Sequence, residues 1–437
     1  MNNIFKAYDI RGIYGKDLNE DTAFKIGEAF AVFLKKKLNK EDLTIVLGKD
    51  NRSSSNSLFN FIKRGILSQS VNVIDIGLST TPLFYFSVAN FNYDGGIIVT
   101  ASHNPKEYNG FKIIGPKAEP ISETTGLLEI KELVEKNVFE KKNPGKEEKK
   151  SFLNEYVSFN SFNDDFSDFK IVVDTANSVS GIVVSNFLPS AIHIFDYLDG
   201  NFPNHEPDPL KKENTEDLKK EIIKQEADLG VAFDGDGDRI FFLDEKGETI
   251  PCDLILALMA VSVIKDKEKI LYDLRSSNIV KEIIEILGGA AIPSRVGHSF
   301  IKEKMKQEDI VFGGEYSGHF FSKNHYFTEC PYFVLFTILK ILKTEKLKMS
   351  QLIKPLKKYF HSGEINFKVE NKEEKIKKIK EKYKEGTITE IDGLRIDFPD
   401  WWFLVRPSNT EPLIRLIVEA KNKEIMEKKV EELTKLF

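Results

Sequence analysis

The chain reads as an α/β protein: three similar α/β domains with mixed, largely parallel sheets around a central cleft, plus a smaller α+β C-terminal domain. Three observations predict this. A pattern of strand, helix, strand, strand and polar loop recurs three times, and its apolar strands alternate with helical segments. Such alternation predicts parallel α/β units, in which ligands bind at loops beyond the carboxyl ends of strands. From about Gly363 the pattern changes to a different order of elements. Finally, 437 residues with 41% hydrophobic content leave room for several cores, at about 100 to 200 residues per domain.

The first repeat opens with TIVLGKDNRSSS from Thr44, passes through a helical segment to VNVIDIG, and ends in GGIIVTASHNP. The second runs from KIVVDTANSVS at Lys170 through AIHIFDY to LGVAFDGDGDR, and the third from KILYDLRSSN at Lys269 through GAAIPSRVG to DIVFGGEYSGH. TASHNP, DGDGDR and GEYSGH therefore occupy corresponding places, and three domains facing a shared cleft would bring them together. Boundaries are expected at EKKNPGKEEKK, near Ile250 and around KYFHSGE, which gives domains 1–148, 149–249, 250–362 and 363–437. The last reads as strand, helix, three strands and a final amphipathic helix, NKEIMEKKVEELTKLF, with the loop RPSNTEP between WWFLV and LIRLIVEA.

A net charge of −5 gives no basic footprint for nucleic acid or anionic membrane, and the Lys-rich run KEEKIKKIKEKYKEG, with interspersed Glu, reads as a solvated face. Cys252 and Cys330 are the only cysteines, so a disulfide framework is not expected and a reducing compartment is. MNNIFKAYDIRG lacks the apolar core of a signal peptide, and no apolar run approaches the roughly 18 residues of a membrane span. The expectation is a cytoplasmic protein acting on small molecules.

Asp234, Asp236 and Asp238, separated by Gly235 and Gly237, are the most informative feature. Three carboxylates on alternating positions repel one another unless a cation joins them. An all-oxygen set with few protein ligands suits a hard ion that keeps waters or a phosphate oxygen, Mg²⁺ above all. An EF-hand would place Glu245 at position twelve, but Arg239 stands where its turn needs Gly, and VAF and IFFL flank the loop as strands, not helices. A solvated acidic turn without an ion is the plainer alternative.

Ser102 in TASHNP lacks the GxSxG frame of a hydrolase elbow. Its place in the repeat, facing the metal loop, instead suits a serine that carries phosphate, whose charge the ion would offset. Arg406, Ser408, Asn409 and Thr410 concentrate donors matched to a phosphate; a capped turn would explain the last three but not the arginine.

TASHNP, DGDGDR, GEYSGH and RPSNTEP, in this order and spacing, with FKAYDIRG and YNGFK (Tyr108 to Lys112), resemble the α-D-phosphohexomutase family, most closely its bacterial phosphomannomutase/phosphoglucomutase members. The resemblance spans essentially the whole chain. It implies reversible phosphoryl transfer between C1 and C6 of a mannose or glucose phosphate, through a phosphoserine and a hexose 1,6-bisphosphate that also serves as activator. Carried over, Ser102 is the phosphoserine and, with Asp234, Asp236 and Asp238, holds Mg²⁺. Arg239 lies beside that phosphate, Glu315 and Ser317 contact sugar hydroxyls, and Arg406, Ser408, Asn409 and Thr410 hold the non-reacting phosphate. Arg11, Lys112, His298 and His319 lie near the reacting groups, and Tyr8 and Arg275 are further contacts. Lys112, with a lowered pKa, is the favoured general base, ahead of the two histidines. A monomer or weak homodimer is expected. The run FTECPY puts Cys330 and Pro331 where the family commonly has an acidic turn. That departure leaves open a catalytically impaired phosphosugar-binding protein, and phosphoglucosamine mutase is the alternative enzyme.

Overall fold

A computed structural model of the chain describes residues 4–140, 142–407 and 413–437. They divide into two compact units, Met1–Ile250 with Ser317–Ser350, and Pro251–Tyr316 with Gln351–Phe437.

The first unit holds two mixed sheets. One runs Ile10–Ile13, Tyr108–Ile114, Gly95–Val99, Thr44–Lys49, Asn72–Leu78, Glu147–Lys149. Thr44–Lys49 is parallel to both neighbours, while Tyr108–Ile114 is antiparallel to both of its own. Helix Glu20–Leu38 is capped by Asn19, whose side chain accepts from the Thr22 N–H. It packs with helices Ser55–Ser68 and Leu127–Lys136 over this sheet, in a core that includes Phe30, Leu34, Ile45, Leu47, Ile62, Ile97 and Val99. The other sheet runs Thr249–Ile250, Ile240–Leu243, Leu229–Phe233, Ile171–Asp174, Ile192–Ile194. Leu229–Phe233 and Ile171–Asp174 are buried at every residue, which is why they read as continuous apolar runs, not as alternation.

In the second unit, Lys269–Asp273 pairs in parallel with Ala290–Ser294 and Phe312–Gly314. The C-terminal sheet is antiparallel: Phe360–His361, Leu413–Ala420, Trp401–Pro407, Leu394–Asp397, Thr387–Thr389, with Ile365–Lys368 also paired to Leu413–Ala420. Sequence pattern expects three strands after helix Lys372–Lys382; four form, because the short edge segment Thr387–Thr389 pairs with Leu394–Asp397. Helix Lys423–Thr434 closes the chain, capped by Asn422. Among the described residues no helix is long and apolar enough to cross a membrane.

Candidate active site

In the first unit the TASHNP loop leaves strand Gly95–Val99 and returns as Tyr108–Ile114. Ser102 sits in its bend at φ 52°, a left-handed conformation that costs a non-glycine residue about 1 kcal/mol or more. Surrounding bonds impose it. The Ser102 N–H donates to Thr100 Oγ1 at 2.9 Å. Arg52, 2% exposed, donates to the carbonyl oxygens of Ser102 (2.7 Å), Asn104 (2.6 Å), Pro105 (2.8 Å) and Tyr108 (3.2 Å). Its own charge is met by Asp50, 3.2 Å from Nε.

The DGDGDR loop comes directly against this bend. A Cβ on Gly235 would lie 2.4 Å from the Ser102 carbonyl oxygen, so only glycine permits the approach. Asp234, Asp236 and Asp238 are fully buried and offer oxygens within 4.8 Å of one another. Asp234 Oδ2 accepts from Ser102 Oγ at 2.8 Å, and its Oδ1 accepts from the backbone N–H groups of Asp238 and Arg239. Thr81, at the start of helix Thr81–Asn90, donates its hydroxyl to Asp236 Oδ2 (2.6 Å) and its N–H to the Asp236 carbonyl (2.9 Å). Lys112 Nζ lies 2.6 Å from Asp236 Oδ2 and 2.5 Å from Asp238 Oδ2.

These charges set the electrostatics. Burial, then the charges of Asp238 and Asp236, push the Asp234 carboxyl well above the usual range. Burial works the same way on Asp238, but Lys112 and His319 outweigh it and hold that carboxyl well below. Burial alone would lower Lys112; Asp236 and Asp238 instead hold it well above its ordinary value. The lowered pKa expected of a lysine base is thus the reverse of what this geometry imposes, because the ammonium is itself the counter-ion of two carboxylates. Three buried carboxylates against one inserted ammonium, with Asp236 Oδ1 buried and lacking a hydrogen-bond partner among the described residues, fit a hard divalent cation.

Cationic and imidazole groups surround the cluster. Arg11 donates to Asn104 Oδ1 and Asp9 Oδ2, both at 2.5 Å; against the effect of burial, Asp9, Tyr8 and Asp236 keep it charged. Tyr8 itself is half-buried. His103 Nδ1 lies 3.1 Å from Ser102 Oγ, and burial followed by the charges of Arg239 and Arg11 holds this ring neutral, well below its ordinary pKa. Ile240 donates its N–H to the Gly318 carbonyl, which brings the GEYSGH loop's Ser317 and His319 to the triad. His319 Nδ1 meets Ser317 Oγ at 3.1 Å; its Nε2 accepts from Arg239 Nε and lies 3.3 Å from Asp238 Oδ1.

The second unit holds the remaining residues. Arg275 is pinned to Asp273 at 2.7 Å and lies 3.9 Å from Glu315 Oε1, with the Tyr316 ring 5.7 Å away. Burial opposes its charge, but Asp273 raises its pKa further. Buried Glu315 accepts from the Gly297 N–H at 2.9 Å, and His298 follows at the buried start of helix His298–Gln307. Arg406 lies on strand Trp401–Pro407, with Nε 2.9 Å from Asp392 Oδ2. Its Nη1 is buried, makes no hydrogen bond among the described residues and lies 3.8 Å from Glu364 Oε2. Ser408, Asn409 and Thr410 lie outside the described residues.

Cys330 and Pro331, the departure from the expected acidic turn, begin helix Pro331–Glu345, with Pro at its first position. The buried Cys330 thiol donates to the Phe320 carbonyl and is pushed up by burial, then by Glu329, so it is inert. Sequence reasoning missed Arg52, Thr81 and Asp392. The first had a signal: Asp50 and Arg52 in KDNRSSS match Asp273 and Arg275 in YDLRSSN, the corresponding turn of another repeat. Thr81 and Asp392 act through long-range contacts that no local pattern marks.

Comparison with known proteins agrees with this architecture. Residues 2–141, 150–247 and 251–359 match the phosphoglucomutase/phosphomannomutase alpha/beta/alpha domains I, II and III, and 364–436 match the C-terminal domain of the same proteins. A phosphomannomutase of Methanocaldococcus jannaschii is 43% identical, over 99% of this chain and 97% of that protein. One from Vibrio cholerae is 40% identical, over 99% and 98%. The crystal structure of a Burkholderia thailandensis phosphoglucomutase/phosphomannomutase family protein superposes with a TM-score of 0.90 at 30% identity, covering 100% of this chain and 97% of that one.

Proposed function

Since the chain belongs to the phosphoglucomutase/phosphomannomutase family, we propose that it moves a phosphoryl group reversibly between C1 and C6 of mannose and glucose phosphates, with Ser102 as the carrier. The observation that carries this reading is the 2.8 Å hydrogen bond from Ser102 Oγ to a buried carboxylate triad flanked by Lys112 and Arg239. A hydroxyl held there, on a loop clamped by Arg52, is placed to carry a phosphate beside a cation.

Asp234, Asp236 and Asp238 would hold Mg²⁺, which when bound offsets charge on the phosphoryl oxygens. In the forward step the P–Oγ bond of phosphoserine breaks and a P–O bond forms to the sugar's free hydroxyl, giving the hexose 1,6-bisphosphate. The hydroxyl's proton passes to a base. After the intermediate turns, its other phosphate returns to Ser102, so phosphate and charge balance over the cycle. Positioning and charge stabilisation dominate such transfers. Lys112, Arg11 and Arg239 supply fixed positive charge near Ser102. With Lys112 paired to Asp236 and Asp238, His319 is the base we assign: its imidazole is a group able to take up the proton, it is held beside Asp238 by Arg239 and Ser317, and it lies in the same unit as Ser102. Arg406, with Ser408, Asn409 and Thr410, holds the non-reacting phosphate, while Arg275, Glu315, Ser317, His298 and Tyr8 serve the sugar and its approach.

Glu315 and Ser317 would read hydroxyls away from C2, so both C2 epimers are accepted. Phosphorus NMR of α-mannose 1-phosphate, α-glucose 1-phosphate and glucosamine 6-phosphate, each with Mg²⁺ and a trace of the matching 1,6-bisphosphate, tests this. Conversion of the first two is expected. Turnover of glucosamine 6-phosphate alone would reassign the substrate, and no turnover of any would leave a binding protein.

A further inference from the structure

One carboxylate in the second unit serves two elements of the substrate apparatus at once. Asp392, in the turn before strand Leu394–Asp397, accepts the Val296 N–H on Oδ2 at 3.0 Å, and the same oxygen lies 2.9 Å from Arg406 Nε. The turn packs tightly on the arginine's strand: a Cβ on Gly393, at φ 100°, would meet the Val405 carbonyl at 2.4 Å. Val296 leads into Gly297, whose N–H is held by Glu315, which lies 3.9 Å from Arg275. A continuous chain of polar contacts thus runs from Arg406 through Asp392, residues 296–297 and Glu315 to Arg275. Arg406 also has a competing partner. Glu364 is 3.8 Å from its Nη1 and already pairs with Arg415 at 3.4 Å.

We propose that Asp392 is a positioning residue. It aims the Arg406 guanidinium and ties it to the loop that Glu315 holds, so the spacing between the phosphate-binding arginine and the sugar-reading residues is fixed before substrate arrives. This rests on the reading that Arg406 binds the non-reacting phosphate. A planar guanidinium gains its second bond to phosphate only when its plane is set. Without Asp392, Arg406 turns to Glu364 and its Nη1 is no longer available.

The test uses the full-length enzyme with Asp392→Ala, Asp392→Asn, Arg406→Ala and the Asp392→Ala/Arg406→Ala double variant. Loss of one charge-assisted bond predicts that Asp392→Ala raises KM for the 1-phosphate and the 6-phosphate, and Ki for inorganic phosphate, by about tenfold, with kcat changed less than about threefold. Asp392→Asn, which keeps an acceptor for Val296, recovers part of the loss. In the Arg406→Ala background the Asp392→Ala change adds nothing. If Arg406→Ala raises KM but Asp392→Ala does not, or if the two losses add in full, the inference is wrong while the reading of Arg406 stands. If Arg406→Ala itself leaves KM and Ki unchanged, the reading beneath it fails.

Discussion

Replacing Lys112 with Met keeps much of the side chain's volume and deletes its charge from inside the carboxylate cluster. The ammonium is 2.6 Å and 2.5 Å from Asp236 and Asp238, with side chains 5% exposed against 0%. Removing one partner of a buried pair costs about 3–5 kcal/mol, because the other is left uncompensated. At about 2 cal/mol/K of unfolding entropy per residue, that lowers the melting temperature of a unit this size by roughly 5–8 °C. Protonation limits the loss. Asp234 is already raised by burial and by Asp238 and Asp236, and a carboxyl raised in the folded state takes up protons on folding, so the deficit shrinks as pH falls from 7.5 to 5.5. Saturating Mg²⁺ supplies the missing charge and should restore most of the loss at pH 7.5. Calorimetry of wild type and Lys112→Met in EDTA and in Mg²⁺, at both pH values, measures each term. A variant that melts with wild type in EDTA, or that gains nothing from Mg²⁺, would refute the reasoning.

On the proposal that one cradle receives each isomer's distal phosphate, Arg406→Ala should lower kcat/KM for the 1-phosphate and the 6-phosphate alike, by about ten- to hundredfold; steady-state kinetics in both directions decide it. Arg52→Gln leaves four loop carbonyls without their guanidinium donor and Asp50 without its cation, so urea unfolding should show a loss of about 3–5 kcal/mol. Its residual folded protein should accept phosphate on Ser102 more slowly. His325 is buried, donates to Asn160, and has its pKa pushed down by burial to about 4. The unfolded chain therefore binds the proton more tightly, and stability falls as pH drops from about 6.5 towards 4, by about 1 kcal/mol at pH 5.5. His325→Gln should flatten that part of the stability profile in urea titrations.

Much of this was legible because the chemistry recurs in sequence. Asp234, Asp236 and Asp238 announce themselves by spacing alone, and the repeat sets the Ser102 loop in the place corresponding to theirs; in the structure Ser102 Oγ lies 2.8 Å from Asp234 Oδ2. The buried parallel strands declare themselves as unbroken apolar runs. What sequence did not disclose is set by partners distant along the chain. The direction of the Lys112 shift depends on Asp236 and Asp238, more than a hundred residues away. Arg52 looks like a surface turn residue until four carbonyls close around it, and Asp392 gains a role only when residues near 296 and 406 fold against it. The edge strand Thr387–Thr389 was too short for its pattern to stand out.

Phosphate on Ser102 is the central claim, and intact-protein mass measurement with peptide mapping tests it most directly. After incubation with a hexose 1,6-bisphosphate and Mg²⁺, wild type should carry one added phosphate, mapped to the TASHNP peptide at Ser102. Subsequent addition of a hexose 1-phosphate should remove it as bisphosphate forms, and Ser102→Ala should show neither event. A phosphate mapped to another residue, or a Ser102→Ala variant that still interconverts the two isomers at the wild-type rate, would contradict the account.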